Sequence, residues 1–226
     1  MKINEKFTGF SQETFSFFSD LKENNYKPWF EEHRAVYERE VQQPLKALTL
    51  AMTPAMYSID SQFDFRPNKI ISRIYRDIRF SKDKTPYKTN MWITFQRMVP
   101  NWERFPGYYM EISADSYQYG MGLYMANKPT MDDYRAKIEY EQEQFRQMAE
   151  DIITKGNFIL GGDEYKRAIN NHLPDFFQKW IQRKSIYLYK ICPIGKELFD
   201  EGFAQHLFKE FTLLQPFYNF LTDIGS

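Results

Sequence analysis

The sequence predicts an α+β fold, with a central, mostly antiparallel or mixed sheet of about five strands covered by helices from both chain ends. Two observations lead there. Apolar residues recur at helical spacing near both ends of the chain, and β-rich runs crowd the middle. A third observation concerns the core: 18% of the residues are aromatic, with 21 Phe, 16 Tyr and 4 Trp. Large flat side chains bury much area each, so an aromatic-rich interior is expected.

The elements follow in order. Ser11 reads as an N-cap, with Phe15, Phe18 and Leu21 as a one-sided stripe to about Glu23. Asn24-Asn25 is a turn, and Pro28 suits the first turn of a second helix. Phe30, Tyr37, Val41, Leu45, Leu48 and Met52 continue the helical spacing, and Pro44 inside that run should kink or restart it. Over residues 69–80 the period changes to that of a strand, with Ile70, Ile74, Ile78 and Phe80 on one face and Arg73, Tyr75, Asp77 and Arg79 on the other. Runs 91–97, 107–113 and 117–124 are further strands, and Gly120 and Gly122 mark a bulge or a close backbone approach. Thr130 caps an amphipathic helix whose buried face holds Tyr134, Ile138, Phe145, Met148 and Ile152. Gly156 and Gly161-Gly162 break the chain, 185–191 is the fifth strand, and 197–221 is helical, shortened by Pro216. No repeat or linker divides the chain, so residues 1–226 are read as one domain.

Composition removes several function classes. Thirty basic and 30 acidic residues give zero net charge, which predicts no general affinity for nucleic acid or membrane. The N-terminus lacks the apolar block of a signal peptide, and no run approaches the length of a membrane span. Cys192 is the sole cysteine, which suits a reducing, cytoplasmic setting. His33, His172 and His206 are scattered, so no metal site is expected, and the phosphate-cradling glycine loops that would announce a nucleotide cofactor are absent. Most aromatics sit at helical spacing and read as core, which weighs against a nucleic-acid platform.

Charge is nevertheless uneven. Eight basic residues and two acids lie between Arg66 and Lys88, whereas seven acids and three bases lie between Thr130 and Asp151. The run Arg73–Lys88, RIYRDIRFSKDKTPYK, combines guanidinium forks that match phosphate or carboxylate with an aspartate to orient them. The same residues also suit a structural ion-pair network on a half-buried sheet.

This run resembles the signature of the bacterial DUF2461 family. Asn24-Asn25 with Trp29-Phe30 and Tyr37, Gly107-Tyr108-Tyr109, Gly120-x-Gly122 and Arg135 are further points of similarity, spanning about Phe10 to Leu221. The resemblance implies a compact α+β fold and brings no activity with it. The expected site for a small phosphate- or carboxylate-bearing ligand is Arg73, Asp77, Arg79, Lys84 and Tyr87, with Arg135 contributing. Arg73 and Arg79 would grip the anion, Asp77 would orient them, Lys84 would add charge and Tyr87 would position the ligand. The competing expectation is a non-catalytic interaction or scaffold domain in which these residues form a structural polar network.

Overall fold

The structure, a computed structural model, describes residues 6–79, 82–169 and 172–225. The first helix, α1 (Gln12–Glu23), starts as its sequence requires. Ser11 accepts from the Thr14 amide while Thr14 Oγ1 accepts from the Ser11 amide, a reciprocal cap that contributes about 1 kcal/mol. Its stripe of Phe15, Phe18 and Leu21 is buried. The second helix, α2 (Lys27–Val36), carries Pro28 in its first turn, where the missing N–H costs nothing.

Pro44 does restart the helix, by an unusual route. A π-helical stretch, Tyr37–Gln42, joins α2 to α3 (Gln43–Ile59). In a regular α-helix the Glu40 carbonyl would accept from residue 44, but proline has no N–H and its ring crowds that oxygen. The wider π turn moves the carbonyl aside, and the Thr14 hydroxyl donates to it at 2.6 Å. The Glu40 carboxylate in turn accepts from Ser11 Oγ at 2.7 Å. The first helix and the bulge thus satisfy each other's polar groups.

A single turn, α4 (Pro67–Ile70), follows. Residues 69–80 were expected as a strand and are not one. Beyond α4 the chain is extended, but among the described residues it pairs only at isolated bridges, Ile71 with Ile93 and Tyr75 with Tyr87. Pro67 favours a helical turn at the start, and Pro86 has no amide with which to continue a ladder. Ile74 is buried as expected, whereas Ile78 is 46% exposed. Phe80 lies outside the described residues.

The sheet is open, antiparallel and five-stranded. Its strands are β1 (Asn90–Phe95), β2 (Gly107–Ser113), β3 (Ser116–Leu123), β4 (Ile159–Gly161) and β5 (Ile186–Pro193). They lie in the order β1-β2-β3-β5-β4. Four of the five expected strands are present; the fifth is the short β4 rather than 69–80. The glycines around β4 read as chain breakers, yet Gly161 pairs with Tyr187. A Cβ at Gly161 would sit 2.2 Å from Cε2 of Tyr187, so the ring needs that bare backbone.

Between β3 and β4 lie α5 (Lys128–Tyr140) and α6 (Gln142–Thr154), and α7 (Asp175–Ile181) precedes β5. The cap of α5 is Asn127 rather than Thr130. Its Oδ1 accepts both the amide and the hydroxyl of Thr130, which is itself buried. The chain ends in α8 (Phe203–Leu213) and α9 (Gln215–Gly225), with Pro216 in the first turn of α9.

Two compact units are distinguished. The first comprises Met1–Phe95, Tyr109–Gln118 and Ile191–Phe208; the second comprises Gln96–Tyr108, Tyr119–Lys190 and Lys209–Ser226. Phe17, Phe30 and Tyr37 cluster in the first, with ring centroids 5.4–6.4 Å apart. In the second, Phe145 is met edge-on by Trp180 at 5.1 Å and at a tilt by Phe220 at 5.2 Å.

Candidate functional site

The segment 73–88 is a hairpin-like excursion of the first unit. Two backbone bonds close its base, Lys88 N–H to Ile74 O at 2.8 Å and Arg76 N–H to Pro86 O at 2.9 Å, on either side of the Tyr75–Tyr87 bridge. Asn25 pins that base from 62 residues away. Its Nδ2 donates to Tyr87 O and its Oδ1 accepts from Tyr87 N–H, both at 3.0 Å. The Tyr87 ring is buried and stacked on Phe30 at 4.1 Å. Burial raises its phenol above the ordinary value. Tyr87 therefore anchors the hairpin from inside the fold.

The cations of the hairpin fall into two groups. At the base, the half-buried Lys88 ammonium donates to Arg73 O at 2.8 Å and lies 4.3 Å above the Trp92 ring. Burial lowers its pKa, and the like charges of Arg73 and Arg76 lower it further. Arg76 donates Nη2 to Tyr87 O at 3.2 Å and pairs with Asp83 at 3.0 Å. Its Nε is buried and has no acceptor among the described residues. Arg73 is exposed, and no hydrogen bond or ion pair holds its guanidinium among the described residues.

Toward the tip, Asp77 accepts from Arg79 through Nε at 3.0 Å and Nη2 at 2.7 Å. Those bonds, the Arg79 amide and the nearby charge of Arg73 bring the Asp77 carboxyl down to about 2. Both partners are well exposed, so the pair adds little to stability. Lys84 donates to Ile78 O at 2.7 Å, and Asp83 caps the turn through the amide and hydroxyl of Thr85. Exposed Lys82 stands beside it. Tyr75 is 51% exposed, and its hydroxyl accepts from Arg34 Nη2 at 3.3 Å.

Arg135 belongs to the second unit and is committed there. Its Nε donates to Ile181 O at 2.9 Å, Nη2 to Arg183 O at 2.7 Å, and Nη1 to Asp132 at 2.9 Å. Nε and Nη2 hold the end of α7 and the residue pair after it to α5, while Nη1 pairs within α5.

With this geometry in view, the comparison with known families is informative. A family model described as conserved hypothetical protein (DUF2461) matches residues 13–220. The chain belongs to the DUF2461 family. No curated protein matches it.

In this DUF2461 member, the structure gathers Asp77, Arg79, Lys84 and Tyr87 with Arg73 on one hairpin. Arg76 and Lys88 lie outside the expected site. Both stand at the base, because the backbone is not a continuous strand and faces do not simply alternate. Their charges were visible in the sequence; their convergence follows from the turn made by Asp83, Thr85 and Pro86.

Proposed function

We propose that this DUF2461 protein binds a phosphate- or carboxylate-bearing ligand at the base of the 73–88 hairpin. One observation carries the reading: Arg73, Arg76 and Lys88 crowd together with Asp83 as the carboxylate on Arg76, while the Arg76 Nε is buried without an acceptor. Buried donors in native proteins are normally satisfied. Like charges that depress a lysine's pKa are relieved by an anion between them. Arg73 and Arg76 supply forks suited to phosphate or carboxylate, Lys88 supplies a point charge on Trp92, and Tyr87 with Asn25 sets the backbone beneath them. Asp77, Arg79 and Lys84 form the outer rim.

A specific observation favours a second reading, in which the segment is a structural network of an interaction domain. Arg76, Lys84 and Lys88 each donate to a backbone carbonyl of the hairpin itself. Thermal melting separates the two. A ligand that binds only the folded state raises the melting temperature by mass action. On the binding reading, phosphate, pyrophosphate or a dicarboxylate stabilises the wild type, and Arg73→Ala still folds but loses the gain. If no anion shifts the wild type and Lys88→Met simply melts early, the network reading replaces it.

A further inference from the structure

The hairpin carries more charge than one small anion can use. Arg73, Arg76, Arg79, Lys82, Lys84 and Lys88 face two carboxylates, Asp77 and Asp83, in a chain whose net charge is zero. These cations are strung out. The rungs of the hairpin run from Lys88 N–H with Ile74 O, through Tyr75 with Tyr87 and Arg76 N–H with Pro86 O, to the Lys84 ammonium on Ile78 O. From Arg73 to Asp77 is four residues, a backbone reach of about 13 Å at a rise of ~3.3 Å per residue, and side chains bridge it, with Asp77 near the charge of Arg73 and Asp83 on Arg76. Arg79, Lys82 and Lys84 are exposed, and a row of like charges attracts extended negative charge.

The hairpin also presents a ring. Tyr75 sits on the middle rung, half-exposed, with its hydroxyl held by Arg34. Its centroid is 5.5 Å from that of buried Tyr87 and 6.3 Å from Phe30, so one side is backed by packed aromatics. A cationic track beside a supported, open aromatic face is the combination that binds single strands: the backbone follows the charges and a base stacks on the ring.

We infer that the anion taken by the 73–88 hairpin is the phosphate backbone of a single-stranded nucleic acid, running from the Arg73–Arg76–Lys88 base to the Arg79–Lys84 tip, with one base on Tyr75. This rests on the anion-binding reading above and narrows it to a chain of phosphates. Two or three successive phosphates meet the two cation groups, and sequence preference is weak because every base offers a flat face.

The test uses the full chain and a fluorescein-labelled oligothymidylate twelve nucleotides long, followed by fluorescence anisotropy between 50 and 200 mM salt. With about three phosphates neutralised, the affinity should fall roughly twenty-fold over that range, given a slope of ~0.7 per phosphate for single strands. Arg73→Ala and Arg79→Ala, at opposite ends of the track, should each make that fall shallower. Tyr75→Ala should weaken binding about 5- to 100-fold at fixed salt without changing the salt dependence, and Tyr75→Phe should bind as the wild type does. Melting curves of each variant confirm that it is folded. Inorganic tripolyphosphate that competes as well as the oligonucleotide, or Tyr75→Ala that binds as tightly as wild type, overturns the nucleic-acid inference while leaving the anion site standing. If phosphate, tripolyphosphate and oligonucleotide all fail to bind, the inference and the site fall together.

Discussion

Two arginine clusters in this protein are built in opposite ways. In the second unit, Arg135 bonds Ile181 O, Arg183 O and Asp132, while Arg183 bonds Lys179 O and Gly162 O and pairs with Glu164. Every guanidinium nitrogen there has a partner within its own unit. On the 73–88 hairpin, Arg73 is unheld, Arg76 keeps a buried Nε without an acceptor, and Arg79 shares an exposed pair with Asp77. The same residue type is saturated in one place and, at Arg73 and Arg76, short of acceptors among the described residues in the other. Saturation locks a fold, whereas a deficit of acceptors leaves capacity for a ligand. The sequence shows the charges in both places and the acceptors in neither.

Several substitutions would break or sharpen this contrast. The largest effect is expected from Arg135→Ala, whose side chain is only 14% exposed. Charge-assisted bonds to two carbonyls and a carboxylate are lost together, so urea unfolding should show a loss of about 3 kcal/mol. Arg73→Ala in the same assay should stay within ~0.5 kcal/mol of wild type; equal losses would erase the distinction. Asn25→Ala removes both bonds to Tyr87 and should cost about 2 kcal/mol, and it should weaken anion binding because the hairpin base is no longer held.

A smaller effect concerns pH. Lys88 titrates below its ordinary 10.5 in the folded protein, so the unfolded chain binds the extra proton in the window between the folded value and 10.5. Stability should therefore rise with pH across that window. Saturating phosphate should flatten the rise, because it holds the ammonium charged, and Lys88→Met should abolish it. The smallest effect belongs to Asp77. Its carboxyl is lowered to about 2, so its contribution is complete above the unfolded value near ~3.9 and is lost as pH falls through 2. Asp77→Asn should match wild type at pH 2 and fall only slightly below it at neutral pH, a difference read by parallel melts.

Much of the architecture was legible because local chemistry and tertiary structure agree. Ser11, Pro28 and Pro44 mark helix boundaries by what their atoms can donate or accept, and alternation over 91–123 places Met91, Ile93, Met110, Ile112 and Met121 in the core. The error at 69–80 has the opposite cause. Ile70, Ile74 and Ile78 suggested one strand face, but a ladder needs a partner along its whole length, and among the described residues this stretch forms bridges only at Ile71 and Tyr75. Strand β4 was missed because its three residues are specified by the neighbouring ring of Tyr187 rather than by their own propensity. At the candidate site, the charged residues could be read directly, while the Asn25–Tyr87 tie and the convergence of Arg76 on Lys88 depend on contacts between distant parts of the chain.

The π turn at Tyr37–Gln42 has a consequence for how this chain tolerates changes of length. A π turn is in effect an α-helix with one surplus residue, and here the surplus is held in register by Thr14 on the Glu40 carbonyl and by the missing amide of Pro44. Because the surplus is absorbed inside that turn, the helix on either side keeps its facing, with Leu45, Leu48, Met52 and Met56 buried. A residue removed from 46–58, where no such turn takes up the difference, would rotate everything after it by about 100°, the angle per residue at 3.6 residues per turn. Loops elsewhere can lengthen or shorten at modest cost. In this long helical run a one-residue deletion should therefore be better tolerated within 38–42 than after it.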